Sequence, residues 1–451
     1  VSGREPGDLR RVVGFWGGTA VIVGITIGSG IFRKPQTLAG LVPEAPVILG
    51  LWVAFGLVSL CGALALAELC SMLPRTGGAY VFVHAAYGDA AAFVFGWLYL
   101  LVTTPAAIGA LATFFAELLL ALLGRGPQAL APWAVPAVAA SAIVVLVVAN
   151  VLGARLGAAI QGVLTFVKVA ALLIVMGVAF LHPHGSFVHL ASSHAPVESG
   201  ALGRAAASVI WAYDGWIAVS MIAGEVRGAE RQMRRIIVSG MLAIVLLYVG
   251  ANVAYFYALP VEAMAQTPGG VPQRILSEVA GPGGAVLIGL FILCSVFGAL
   301  NGNVLAKPRV AFALARDGLT FAFLGRAHPR WSTPYAAILI QGAGAVVLVA
   351  LLRDFDRLTT YFVVAEWSAL LFAVGAVFVL RRRMPDAVRP FRTPGYPVVP
   401  AVFLVGTAAG LAAIVGGEIA QPVPNYSPAW GLLIAAAGFP AYTLWRRART
   451  A

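Results

Sequence analysis

The chain has 451 residues, of which 60% are hydrophobic and 11% charged. Soluble domains carry about 25% charged residues, so an ordinary water-soluble protein is excluded. Thirty Lys and Arg against eighteen Asp and Glu give a net charge of +12. In another chain that excess would suggest nucleic acid; here the placement of the charges points to a lipid bilayer and no nucleic acid.

At roughly 20 residues per helical crossing, this length accommodates about a dozen spans and no sizeable soluble domain. Apolar windows occur at 12–40, 45–70, 90–123, 131–153, 156–181, 204–226, 233–259, 283–313, 335–352, 357–380, 398–417 and 428–446. They predict twelve transmembrane helices. With the N-terminus inside, Arg4, Arg10, Arg11, Arg75, Arg155, Arg227, Arg231, Arg234, Arg235, Arg316, Arg326, Arg330, the Arg381–Arg383 run, Arg389, Arg392 and Arg446, Arg447 and Arg449 fall on the cytoplasmic side. Arg125, Arg204, Arg274, Arg353 and Arg357 fall on the other, a split that assigns both termini to the cytoplasm. Some of these arginines are also suited to touching anionic headgroups. Cys61, Cys70 and Cys294 lie in apolar runs without CxxC spacing and read as packing residues. The first apolar run has no small-residue cleavage site after it, so no signal peptide is expected.

Two windows contain helix breakers. The first carries Gly28-Ser29-Gly30 within GITIGSGIFRKP, and the sixth carries Tyr213-Asp214-Gly215 within VIWAYDGWIAVS. The breaks are five spans apart. Five is odd, so the second unit enters the membrane from the opposite side, which makes 12–181 and 204–380 an inverted pair with 398–446 outside the repeat. Around them stand a cytoplasmic tail (1–11), an extracellular loop (182–203), a basic cytoplasmic loop (381–397) and a C-terminal tail (447–451).

Unwinding at Gly-Ser-Gly frees amides and carbonyls that need partners. An amino-acid zwitterion fits: its carboxylate meets the positive start of the half-helix near Gly30, and its ammonium meets exposed carbonyls. The glycines serve equally well for close helix packing. Asp214 sits mid-span, where an uncompensated charge costs several kcal/mol. The reading favours a cap for the second half-helix over attraction of a substrate ammonium or carriage of a proton. Lys168, deep in QGVLTFVKVAALLIVMG, is too far from either interface for easy snorkelling. It is expected to replace a coupling cation on the carbonyls of the first break, or to couple transport to pH. A fixed ion pair with Asp214, Glu117 or Glu366 is the structural alternative.

GITIGSGIF, WAYDGW, the span-5 lysine, YVGANVAYF and SVFGALNGNVLAKPRVAFALARDG, in this order, resemble the amino acid-polyamine-organocation superfamily, specifically its L-type amino acid transporter branch. The likeness reaches the RPFRTPGYPVVP stretch after span 10. It implies an all-α LeuT-type 5+5 inverted-repeat fold with two additional C-terminal helices, and alternating access. Substrate would lie against Thr26, Ile27, Gly28, Ser29, Gly30 and Ile31 of the first break and Trp211, Ala212, Tyr213, Asp214 and Gly215 of the second. The amides of Ser29, Gly30 and Ile31 would take the carboxylate, and the carbonyls of Thr26, Trp211 and Asp214 the ammonium. Trp211 occupies the place of an aromatic outer gate, or is a packing tryptophan. Asn252 would bridge to helix 1, or form a plain interhelical hydrogen bond. Lys168 resembles a built-in substitute for a sodium ion. Ser295 with Ala299 one turn later offers a poor set of sodium ligands, so sodium coupling is disfavoured.

Departures from the family pattern include Arg33 and Lys34, which would place positive charge in the outer vestibule. Asp214 replaces a smaller residue and favours small neutral substrates; repulsion from Lys168 and the basic pair disfavours cationic ones. His182, His184, His189 and His194 form a loop cluster that reads as polar filler over a zinc site. Glu68, Arg75, Glu225, Arg227 and Arg231 read as helix-end or inner-gate pairs, and Glu117 and Glu366 have no assigned role. No Ser/His/Asp, paired-Asp or HExxH arrangement falls within the spans, so no enzyme, cofactor or metal is expected. The leading expectation is a bacterial inner-membrane, sodium-independent exchanger of small neutral L-amino acids. Proton symport through Lys168, transport of cationic amino acids or polyamines, and a non-transporting nutrient sensor are the alternatives. An ancillary subunit is not expected, though the sequence leaves it open.

Overall fold

The computed structural model describes residues 9, 11–125, 131–191, 196–198, 200–267, 270–421 and 426–450. Arg4, Arg10 and His194 lie outside these, as do the side chains of Arg155 and Arg449.

The first half comprises α1 (Phe15–Thr26), α2 (Gly30–Leu41), α3 (Ala45–Met72), α4 (Ala79–Tyr87), α5 (Asp89–Leu98), α6 (Thr104–Leu122), α7 (Ala134–Val151) and α8 (Ala154–Ala179). The middle comprises α9 (Ala201–Tyr213), α10 (Ala218–Met221), α11 (Ala229–Ala258), α12 (Val261–Ala265), α13 (Val271–Ala306) and α14 (Pro308–Arg316). Four more follow: α15 (Tyr335–Leu352), α16 (Phe355–Arg383), α17 (Val398–Ile419) and α18 (Ser427–Thr450). This is an all-helical integral membrane protein. Among the described residues, ten helical stretches are long and apolar enough to cross a bilayer.

The windows at 204–226 and 428–446 are not among those ten. The sixth window is divided: α9 ends at Tyr213 and only the four-residue α10 resumes it. The twelfth corresponds to α18, whose apolar length is diluted by Pro440 and an arginine-rich end. Local chemistry sets the other irregularities. A π-helical turn at Tyr99–Thr103 joins α5 to α6 just before Pro105, which has no N–H to continue the ladder. Gly281, with φ of 74°, kinks α13, and Pro308 separates α13 from α14 at Lys307.

Broken segments occupy the middle of the molecule. Ile22, Ile27, Ile31, Ile210, Tyr213 and Trp216 are all fully buried, whereas Leu246, Val405 and Leu351 on outer helices are about 70% exposed, as lipid-facing side chains are. Polar contacts fix α8 to its neighbours: Thr165 Oγ1 donates to the Ala20 carbonyl of α1 at 2.9 Å, and Gln161 links through Asn301 of α13 to Asn150 of α7. Such hydrogen bonds are worth about 1 kcal/mol each between membrane helices. Cys61, Cys70 and Cys294 are all free thiols.

Outside the spans, α4 is tied to the turn after α14. Asp317 accepts from Tyr80 at 2.9 Å and from His84 Nδ1 at 3.2 Å, and His84 Nε2 reaches Asp89 at 2.8 Å. The hydrogen bond to Asp317, aided by Asp89 and opposed by partial burial, raises the His84 pKa above 6.5. A raised histidine pKa adds stability that is complete below 6.5 and is lost as pH climbs through the folded-state value. Thermal unfolding of the detergent-solubilised protein is therefore expected to show a midpoint that falls over that interval above pH 6.5, and His84→Gln is expected to flatten that part of the profile. An unchanged slope in the variant would remove His84 as its source.

Candidate functional site

The two breaks lie directly against each other. A Cβ added to Gly30 would stand 2.5 Å from the Ala212 Cα, so only glycine lets the start of α2 approach α9 this closely. Gly215, with φ of 109°, presses on Thr26: a Cβ there would come within 3.0 Å of the Thr26 amide. Trp211 Nε1 donates to Ser29 Oγ at 3.1 Å, which adds a side-chain bond between them. The glycines therefore provide both the break and the close packing.

Ile27, Gly28 and Ser29 interrupt helix 1, and α2 begins at Gly30. The first amides of a helix have no carbonyl one turn back, which leaves the start of α2 as a cluster of donors at a positive helix end. Ile25, Thr26, Gly28, Ser29, Gly30, Ala107, Leu111, Trp211, Asp214 and Asn303 surround a cavity there. Its volume is about 20 Å³, room for a water or two. Anything larger would require the walls to move.

Lys168 is completely buried, and its ammonium donates to three carbonyls: Gly24 at 2.6 Å, Ile27 at 2.9 Å and Ser295 at 2.8 Å. Ser295 Oγ also donates to Ile27 O at 3.3 Å. A single cation thus joins α8, the broken end of α1 and α13. The ion-pair alternative for Lys168 is overturned, because its ammonium donates to three carbonyls and forms no ion pair among the described residues. Glu117 pairs with Arg33, and Glu366 accepts from Lys307 at 3.1 Å and Tyr99 at 2.7 Å.

Three other expectations need correction. Asp214 is not the N-cap of α10: it follows α9 in an extended conformation, its carboxylate accepts from the adjacent Gly215 amide, and α10 starts four residues past it with Ile217 as N-cap and no side-chain capping bond. Within 205–223 it alone retains appreciable accessible surface, which opens on the cavity, and its Oδ1 has no hydrogen-bond partner among the described residues. Lys307 attracts its carboxylate and Glu366 repels it. Asn252 does not reach helix 1, since its Nδ2 donates to the Tyr248 carbonyl within α11. Tyr248 makes that bridge instead, its hydroxyl donating to Thr26 O at 2.6 Å. Arg33 and Lys34 do not leave a bare positive vestibule. Arg33 pairs with Glu117 and lies 3.8 Å from Asp356, and Lys34 donates to Asp356 at 2.6 Å.

The charged cluster reaches the cavity through aromatic rings. The Arg33 guanidinium lies 4.5 Å from the Phe355 ring centre, Phe355 packs edge-on against Trp211, and Trp211 bonds to Ser29. On the opposite face, the Glu225 carboxylate holds Arg309 in a buried ion pair, and Val13 pairs with Val226 as a lone β-bridge. Glu68 accepts from Arg381 and Thr393, and Arg75 lies 3.7 Å from Asp317. Of the residues expected as helix-end pairs, Glu68, Arg75 and Glu225 are paired with partners from distant segments, whereas Arg227 and Arg231 form no ion pair among the described residues. His182 bonds to Glu278 and His189 to the Tyr257 carbonyl, and no group of metal ligands occurs among the described residues.

Residues 13–437 match the family model described as Amino acid permease. The chain is 30% identical to the Serine/threonine exchanger SteT of Bacillus subtilis (strain 168) over 97% of each chain. It is 30% identical to the b(0,+)-type amino acid transporter 1 of Mus musculus over 93% of this chain and 85% of that one. It is 29% identical to the Cystine/glutamate transporter of Homo sapiens, over 98% and 87%. The chain belongs to the amino acid permease family of the amino acid-polyamine-organocation superfamily. It is an amino acid transporter and not an enzyme, and the family implies the LeuT fold.

Lys34 is almost fully buried, and removing the partner of a buried charge costs several kcal/mol, discounted here because Asp356 is 49% exposed. Asp356→Asn is expected to loosen this side of the cavity. In a background without native thiols, a Leu111→Cys reporter should react with a membrane-impermeant maleimide roughly tenfold faster in that variant, about 1.4 kcal/mol. Equal labelling rates would show that the cluster does not hold the site shut.

Proposed function

We propose that this transporter is a sodium-independent exchanger of small neutral L-amino acids of the L-type branch, working by alternating access in a bacterial cytoplasmic membrane with both termini inside. The observation that carries the proposal is the Lys168 ammonium on the carbonyls of Gly24, Ile27 and Ser295. It stands where a monovalent cation would have to stand to join the broken helix to α13. Ala299, one turn from Ser295, adds no hydroxyl for a sodium ion.

In this reading the membrane is crossed twelve times, with 12–181 and 204–380 as the inverted repeats and 398–446 outside them. The amides of Ser29, Gly30 and Ile31 take the substrate carboxylate, and the carbonyls of Trp211 and Asp214 take its ammonium; Thr26 O, expected as a third acceptor, already accepts from the Tyr248 hydroxyl and the Gly28 amide. Trp211 forms the lid, and its T-shaped contacts with Phe355 and Phe362 are what it would break on opening. Neutral substrates are supported by charge balance. Lys168 and Lys307 oppose Asp214 and Glu366, two ammoniums against two carboxylates, so the site presents no net charge to be neutralised by a charged side chain. Small substrates are supported by the contracted cavity with Trp211 and Asp214 on its wall.

Proteoliposomes loaded with unlabelled serine or alanine are expected to take up labelled serine at the same rate in sodium and in choline buffers, and empty vesicles are expected to take up little. Uptake into empty vesicles driven by a proton gradient would replace exchange with symport. Preferential exchange of arginine would overturn the neutral assignment. Hydrogen bonds to a charged group are worth about 1.5–3 kcal/mol each. Lys168→Ala should therefore reduce exchange by about tenfold or more, and full activity in that variant would exclude the lysine from the mechanism.

A further inference from the structure

α11 begins after Gly228 and keeps one exposed stripe along its N-terminal part: Glu230, Arg231, Arg234, Arg235, Ser239, Leu242 and Leu246 are all exposed. The spacing of three and four residues places them on a single helical face. Its two ends differ in chemistry. Leu242 and Leu246, 45% and 72% exposed, belong to the lipid-facing surface of a span. At 1.5 Å of rise per residue, Arg235 lies about 10 Å from Leu242 along the axis, roughly the reach from the charged to the apolar part of a phospholipid.

Beside the arginines is a groove of about 570 Å³, walled by Phe15, Glu230, Arg231, Gln232, Arg234, Arg235 and Pro390. Its walls come from three separate segments: the start of α1, the first turns of α11 and the loop after α16. The Arg234 guanidinium lies 5.8 Å from the Phe391 ring centre, and the neighbouring Trp16 is 80% exposed, as an interfacial aromatic is. Arg231, Arg234 and Arg235 form no ion pair among the described residues. Three guanidiniums against one carboxylate favour an anion, and a bidentate guanidinium geometry suits phosphate.

We infer that this groove binds the phosphate headgroup of an anionic phospholipid whose acyl chain lies along Leu242 and Leu246. The groove is separate from the cavity between the helix breaks, and its occupant is not a transported molecule.

Detergent-purified full chain can be titrated with dioleoyl phosphatidylglycerol, phosphatidylcholine, short-chain phosphatidylglycerol and inorganic phosphate, with binding read by native mass spectrometry and by the thermal midpoint. Phosphatidylglycerol is expected to bind and stabilise, and the other three to bind more weakly. Each arginine near an anionic headgroup contributes about a fivefold change in affinity, so R234Q/R235Q should bind phosphatidylglycerol about 25-fold more weakly. The charge-retaining R234K/R235K should recover most of the affinity, which separates loss of charge from loss of folding. Equal binding of phosphatidylcholine, or a glutamine variant that binds like the parent, would overturn the site. Inorganic phosphate binding as tightly as the long-chain lipid would overturn the lipid and assign the groove to a free anion.

Discussion

A helix broken inside a bilayer leaves peptide groups that neither water nor lipid can satisfy, and their partners determine what else the molecule can be. Here the unwound end of α1 is held chiefly by one ammonium: Lys168 takes the carbonyls of Gly24 and Ile27 and, on the far side, that of Ser295. Tyr248 takes Thr26 O, so the last carbonyls of α1 are engaged from α8 and from α11. The amides across the break have no such partners and begin a new helix. That asymmetry, with acceptors of α1 engaged and the first amides of α2 facing the cavity, is what the proposed carboxylate site rests on.

Closure is distributed over both faces and is electrostatic at each. On one face Arg33 and Lys34 of α2 meet Glu117 of α6 and Asp356 beside α16. On the other, Arg309 meets Glu225, and Glu68 gathers Arg381 and Thr393. Exposed pairs are worth about 1 kcal/mol or less and buried ones cannot be broken cheaply. The half-exposed Asp356 pair is thus the easier to open, and the Arg309 and Glu225 pair, buried on both sides, the harder. The cavity at the breaks, about 20 Å³, is too small for an amino acid as it stands.

The two breaks were legible in the sequence because Gly-Ser-Gly and Asp-Gly interrupt otherwise uniform apolar windows at matching places. Lys168 was legible because a charge at that depth needs a partner. Its partners were legible in kind, as carbonyls of the first break, though Ser295 O comes from a helix whose approach no local pattern encodes. Tyr248 was missed although it opens the YVGANVAYF motif, since a tyrosine in an apolar span reads as packing. Gln161 and Thr165 share the face of Lys168 at spacings of four and three, a signal that could have marked α8 as polar-bonded to α1. Arg33 and Lys34 were seen as unbalanced because Asp356 lies over 300 residues away, and pairing across such a distance depends on the fold alone. The role of Asp214 turned on a register detail: α10 starts at Ala218, too far for the carboxylate to cap it.

The identity of the cation at the junction has a mechanistic consequence. A sodium ion in this place would leave with the substrate, and the empty carrier could return after its gradient had done work. A lysine is covalently tethered and cannot leave, so the junction between α1, α8 and α13 stays occupied through the cycle. No ion is then released to draw the unloaded protein back, and the return step is most easily driven by a second amino acid binding to the same amides. In the proposed exchanger, that tether is what disfavours return of the unloaded protein as long as the ammonium keeps its proton. The charge-balanced set of Lys168, Lys307, Asp214 and Glu366 supports this, because a zwitterion entering or leaving it changes no net charge and so requires no compensating ion.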